Sequence, residues 1–176
     1  MKFNFIAFKS IYLHEMDRFR RTLGQSLISP VISTSLYFIV FGSVIGGYVQ
    51  NIDGISYGSY IVPGLLMLTL LTQSISNTSF GIFFPKFNGT IYEILAAPIS
   101  TVEIVLAFVG AGATKTLIVG VIIFITSTFF VDVYVQKPLL MIMILILVAF
   151  TFALFGFLIG LMSSNFEQMS VVPTLV

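Results

Sequence analysis

The side chains able to do chemistry are few and far apart. The 176 residues hold one histidine, His14, and no cysteine. A disulfide scaffold and a thiolate metal site are thereby excluded. His14 sits among charges near the N-terminus, with no second histidine to share a metal. Serine and threonine hydroxyls are plentiful, but a nucleophile needs a base beside it, and the apolar stretches contain no histidine. No G-x-x-x-x-G-K-[ST] run is present, so the chain has no loop of the kind that cradles nucleotide phosphates. Three features remain. Thr69, Gln73 and Asn77 place a hydroxyl and two amides on one helical face. Thr90 with Glu93, and Ser100 with Glu103, have the spacing of helix-capping boxes. Lys115 is a lone charge inside a long apolar run.

The elements that position these residues follow from composition. Apolar residues make up 57% of the chain and charged residues 9%, against about 45–50% and 25% in a soluble domain. Mean hydropathy is +1.08. A soluble globule of this size cannot bury so much apolar surface. The net charge of +1 provides no basic field for nucleic acid. The composition is that of an integral membrane protein.

Charge positions divide the chain. No charge falls between Arg21 and Asp53, between Asp53 and Lys86, or between Lys137 and Glu167, and Lys115 alone interrupts Glu103 to Asp132. A span needs about 20 apolar residues, so each gap holds one. The expected fold is an all-α polytopic bundle in a single domain, 1–176, with spans at about 27–49, 59–84, 107–131 and 138–162. Strand-type alternation is missing from these runs, against a β-barrel. A fifth apolar run begins at about residue 169 and is expected to be the start of another span in a truncated chain, or a short interfacial stub.

Residues 1–24 form an amphipathic interfacial helix. Phe5, Phe8, Tyr12, Met16, Phe19 and Leu23 recur every three or four positions, and Lys2, Lys9, Glu15, Asp17, Arg20 and Arg21 lie mostly off that stripe, as in a helix lying in the headgroup plane. Lys9 interrupts any signal-peptide core. Lysine and arginine concentrate in the N-terminal segment and at Lys86, so the positive-inside rule puts the N-terminus and loops 85–103 and 163–170 in the cytoplasm.

Loop 85–103 is the most informative stretch. Asn88-Gly89 makes a turn. A capping box from Thr90 to Glu93 starts a short helix over 90–97, Pro98 stops it, and Ser100 with Glu103 caps the third span. Ile91, Ile94 and Leu95 share its apolar face, with Tyr92 and Glu93 pointing elsewhere. So short a helix is unstable alone. It is either an interfacial elbow or a knob for a groove on a cytoplasmic partner.

Within the spans, Thr69, Gln73 and Asn77 are read either as hydrogen-bonding glue between helices or as the lining of a polar path. Lys115, about 5 Å inside the apolar boundary, is expected to snorkel toward the surface in preference to meeting a substrate or partner. Gly42-x-x-x-Gly46 and Gly156-x-x-x-Gly160 are read as sites of close helix packing.

The run Gly89-Thr90-Ile91-Tyr92-Glu93-Ile94-Leu95-Ala96-Ala97-Pro98-Ile99-Ser100, followed by Glu103-Ile104-Val105-Leu106, resembles the loop between spans two and three of ABC type-2 exporter permeases. Ser29-Pro30 before span one, Tyr60-Ile61-Val62-Pro63-Gly64-Leu65 opening span two, Ser163 to Gln168 before span five and the basic amphipathic N-terminus extend the likeness along the chain. The resemblance implies a six-span inner (plasma) membrane permease that dimerises and engages two separate cytoplasmic ATP-binding cassette subunits. These would hydrolyse the ATP, no cofactor being bound by this chain. Thr90, Ile91, Glu93, Ile94, Leu95 and Pro98 would form the coupling helix, and Thr69, Gln73 and Asn77 would face the translocation path. A self-contained secondary carrier or channel is the alternative, but it would want intramembrane acids or inverted halves, and neither is visible. A membrane-embedded enzyme would want a nucleophile–base pair or metal cluster.

Overall fold

A computed structural model describes residues 3–45, 51–52, 55–133 and 135–175. Helix α1 covers Phe5–Arg21 and α2 covers Leu23–Tyr37, continued by a π-helical stretch, Phe38–Ile45. Two-residue strands β1 (Asn51–Ile52) and β2 (Ile55–Ser56) pair antiparallel and lead into α3, Tyr57–Phe87. The short α4, Ile91–Ala96, joins α3 to α5, Thr101–Ser127. Then follow α6, Pro138–Met162, and α7, Phe166–Leu175. Among the described residues, four helical segments are long and apolar enough to cross a membrane: Leu23–Phe41, α3, α5 and α6. The fold is the expected helical bundle.

The spans start and stop for local reasons. Ser56 Oγ accepts from Ser59 N–H at 3.3 Å to cap α3. Pro138 opens α6 at the position where its missing N–H costs nothing, and α6 has the boundaries expected from the sequence. At 31 residues, α3 is about 46 Å long, beyond the roughly 30 Å of hydrocarbon, so it runs past the expected 59–84 at both ends. Likewise α5 begins six residues before the expected 107 and ends at Ser127, short of 131, because its capping box at Ser100 fixes the start. The end of the first expected span, 46–49, and Gly46 of the first small-residue motif lie outside the described residues.

α3 is the hub, packed along α6 and α5. Small residues permit the approach. A Cβ on Gly156 would stand 2.5 Å from the Ile75 carbonyl oxygen, and one on Gly160 would stand 2.5 Å from that of Ser79. Ser74 Oγ donates to the Ala149 carbonyl at 2.6 Å across the same seam. The Gly156–Gly160 motif is therefore a packing device, as expected. A buried hydrophobic cluster, Ile82, Ile104, Phe108, Val109, Ala113, Ala149, Ala153 and Phe157, lies between α3, α5 and α6.

Candidate coupling elbow and polar cluster

The elbow between α3 and α5 is built from local geometry. Gly89 has φ +80°, a left-handed conformation that glycine adopts without penalty, and it reverses the chain after α3. The Ser100 box is complete: Ser100 Oγ accepts from Glu103 N–H at 3.3 Å, and Glu103 Oε2 accepts from Ser100 N–H at 2.9 Å. The Thr90 box is not formed. Thr90 sits in helical backbone and its hydroxyl donates to the Pro85 carbonyl at 3.3 Å, so α4 starts from the Gly89 turn instead. Ala97, just before Pro98, is extended, with ψ 153°, which stops the helix as proline requires.

α4 divides its side chains differently from the expected single apolar face. Ile91 and Ile94 pack against the central cluster. Tyr92 and Leu95 are 73% and 61% exposed, and Glu93 is exposed beside them. Leu95 thus belongs to the outward face, because Ile91 and Ile94 already occupy the inward one.

Two long-range contacts hold the elbow. Lys86 Nζ donates to the carbonyls of Leu161 and Ser163 at 2.6 and 2.9 Å, capping the end of α6 with a cation where the helix dipole favours one. Glu103 Oε1 accepts from Asn4 N–H at 2.6 Å, tying the start of α1 to the start of α5.

From there α1 follows α5 in the same direction. The Tyr12 hydroxyl donates to Thr114 Oγ1 at 3.0 Å. Lys115 Nζ meets Glu15 Oε2 at 2.7 Å, both side chains 4% exposed or less. Arg18 Nη2 reaches the same oxygen at 2.8 Å, and its guanidinium carbon lies 5.3 Å above the Phe80 ring, a cation–π distance. Lys115 therefore does not snorkel: a carboxylate from α1 meets it inside the bundle, which keeps its charge paired without reaching water. Glu15, expected mostly off the apolar stripe of α1, is instead buried: it follows Ile11 and Tyr12 by four and three residues and precedes Phe19 by four, on the face that meets α5.

Along α3, Asn77 donates to Gln73 Oε1 at 3.4 Å, and Thr69 Oγ1 donates to the Leu65 carbonyl at 2.8 Å. All three are half-buried. Asn77 lines a cavity with Arg18 and Lys115, whereas Thr69 and Gln73 lie outside it, further along the helix.

Comparison with known proteins identifies the class. The profile of the ABC-2 type transporter family matches residues 6–176. The chain belongs to that family and is a membrane permease of an ABC transporter; the family implies partnership with an ATP-binding cassette protein. It is 39% identical, over its whole length and 69% of the relative's, to the inner membrane transport permease YadH of Escherichia coli K12, and equally to that of Shigella flexneri. Nodulation protein J of Azorhizobium caulinodans is 21% identical over 73% of this chain and 51% of its own length. No solved structure matches.

Proposed function

We propose that the chain is the permease subunit of an ATP-driven exporter, working as a dimer, in which α4 docks into a groove of a separate cytoplasmic ATPase that binds and hydrolyses the ATP. The observation that carries this reading is the elbow. A six-residue helix has no stability of its own, yet α4 is anchored from within by Ile91 and Ile94 and presents Tyr92, Glu93 and Leu95 outward. Anchored in this way, α4 moves together with the spans, so a push on its outer face is passed to α3, α5 and, through Lys86, α6. Aromatic anchors on a protruding surface suit a partner's pocket. The basic N-terminal segment and Lys86 favour a cytoplasmic position for this end, and the outward Phe3, Phe5, Ile6 and Leu13 of the N-terminal segment suit the headgroup region of the membrane. Thr69, Gln73 and Asn77 are proposed to line the translocation path.

Co-purification tests the docking. Replacing Tyr92 by Ala together with Leu95 by Asp is expected to abolish recovery of the ATP-binding subunit while the permease still inserts and keeps its melting temperature. Full recovery of the complex would refute the reading.

A further inference from the structure

Two cations share one carboxylate at the α1–α5 contact. Arg18 and Lys115 both engage Glu15 Oε2, and among the described residues no second carboxylate pairs with either. The cluster therefore carries a net positive charge. Beside it lies a cavity of about 490 Å³ between α1, α2, α3, α5 and α7, within the usual size range of small-molecule sites. Arg18 and Lys115 form its charged wall, Asn77 adds an amide, and Phe19, Phe80 and Pro173 supply apolar surface.

The excess charge falls on Arg18, whose side chain is 25% exposed beside the cavity, and a charge without a counter-ion in so apolar a bundle is costly. A phosphate placed in the cavity would balance it through charge-assisted hydrogen bonds, and the guanidinium retains donors for it, having five N–H groups in all. An inorganic anion would leave the aromatic and proline walls unused, whereas an acyl chain would cover them.

We infer that this cavity binds an anionic amphiphile, with its phosphate on Arg18 and Lys115 and its acyl portion against Phe19, Phe80 and Pro173. The inference is independent of ATPase docking, since it is read by binding alone.

The test is lipid retention by the full chain in detergent, followed by native mass spectrometry with phosphatidylglycerol, phosphatidylcholine or inorganic phosphate added. Phosphatidylglycerol is expected to be retained over phosphatidylcholine. Arg18→Gln should weaken that retention about tenfold, the loss of one charge-assisted contact. Arg20→Gln, on an exposed side chain of the same helix, should leave it unchanged. Ser26→Phe, which fills the cavity from α2 and spares the charges, should weaken it as much, and it decides the matter if Arg18→Gln does not fold. Equal retention of the two lipids, or unchanged retention in both Arg18→Gln and Ser26→Phe, would overturn the proposal. So would displacement of phosphatidylglycerol by an equal concentration of inorganic phosphate, which would mark a site for the free anion.

Discussion

Glu15 and Lys115, one hundred residues apart, meet at 2.7 Å with both side chains buried. The pair joins the N-terminal helix to α5 near the middle of that span. Arg18 makes the arrangement asymmetric, because the carboxylate serves two cations and each cation has only that carboxylate among the described residues.

The asymmetry predicts an order of stabilities. Glu15→Gln strands two cations and is expected to cost about 3–5 kcal/mol, the range for breaking a buried pair from one side. Lys115→Met leaves Glu15 with Arg18 and is expected to cost only about 1–2 kcal/mol. Thermal unfolding in detergent compares them, and equal losses would contradict the shared-carboxylate geometry.

The α3–α6 seam predicts a glycine pattern. Gly156→Ala and Gly160→Ala drive a Cβ into α3 backbone and should each destabilise by about 1–3 kcal/mol through overpacking. Gly64→Ala meets nothing within 4 Å and should be neutral or stabilise by up to about 1 kcal/mol, since alanine is the better helix former. Melting temperatures of the three variants check this.

Lys86→Met removes the donor that caps α6 through Leu161 and Ser163. The expected effect is local: faster amide hydrogen exchange near the end of α6, with little change in the middle of that helix. Unchanged exchange near Ser163 would show that the cap is dispensable.

One hydrogen bond, from Asn77 to Gln73 Oε1, joins the two amides along α3. Replacing both by Leu removes donor and acceptor together, so stability should hold within about 1 kcal/mol, while the substrate range of transport narrows or shifts. A full-length double variant that transports every substrate as before would remove these residues from the path.

The bundle was legible from sequence because charges are expelled from hydrocarbon and their gaps outline the spans; α6 was located to the residue. The Ser100–Glu103 box was legible because both partners are local. What could not be read is what depends on tertiary packing. Thr90 and Glu93 have capping spacing, but the Gly89 turn places Thr90 inside helical backbone and the box does not close. Leu95 shares apolar character with Ile91 and Ile94, but only two of the three fit against the core. Lys115 reads as a snorkelling lysine because its partner is on another helix, and Glu15, grouped with the polar residues of α1, gives no sign that it faces inward.

If the outward face of α4 meets the ATPase, a probe placed on that face should reach the partner subunit. Because the chain has no cysteine, Leu95→Cys introduces a single thiol on that face, and Leu139→Cys introduces one on an exposed residue at the start of α6, the opposite end of the bundle. A short thiol-reactive photo-crosslinker on each, in membranes that also contain the ATP-binding subunit, gives the most direct measurement. A permease–ATPase adduct is expected from Leu95→Cys and none from Leu139→Cys. No adduct from position 95, or equal adducts from both positions, would contradict it.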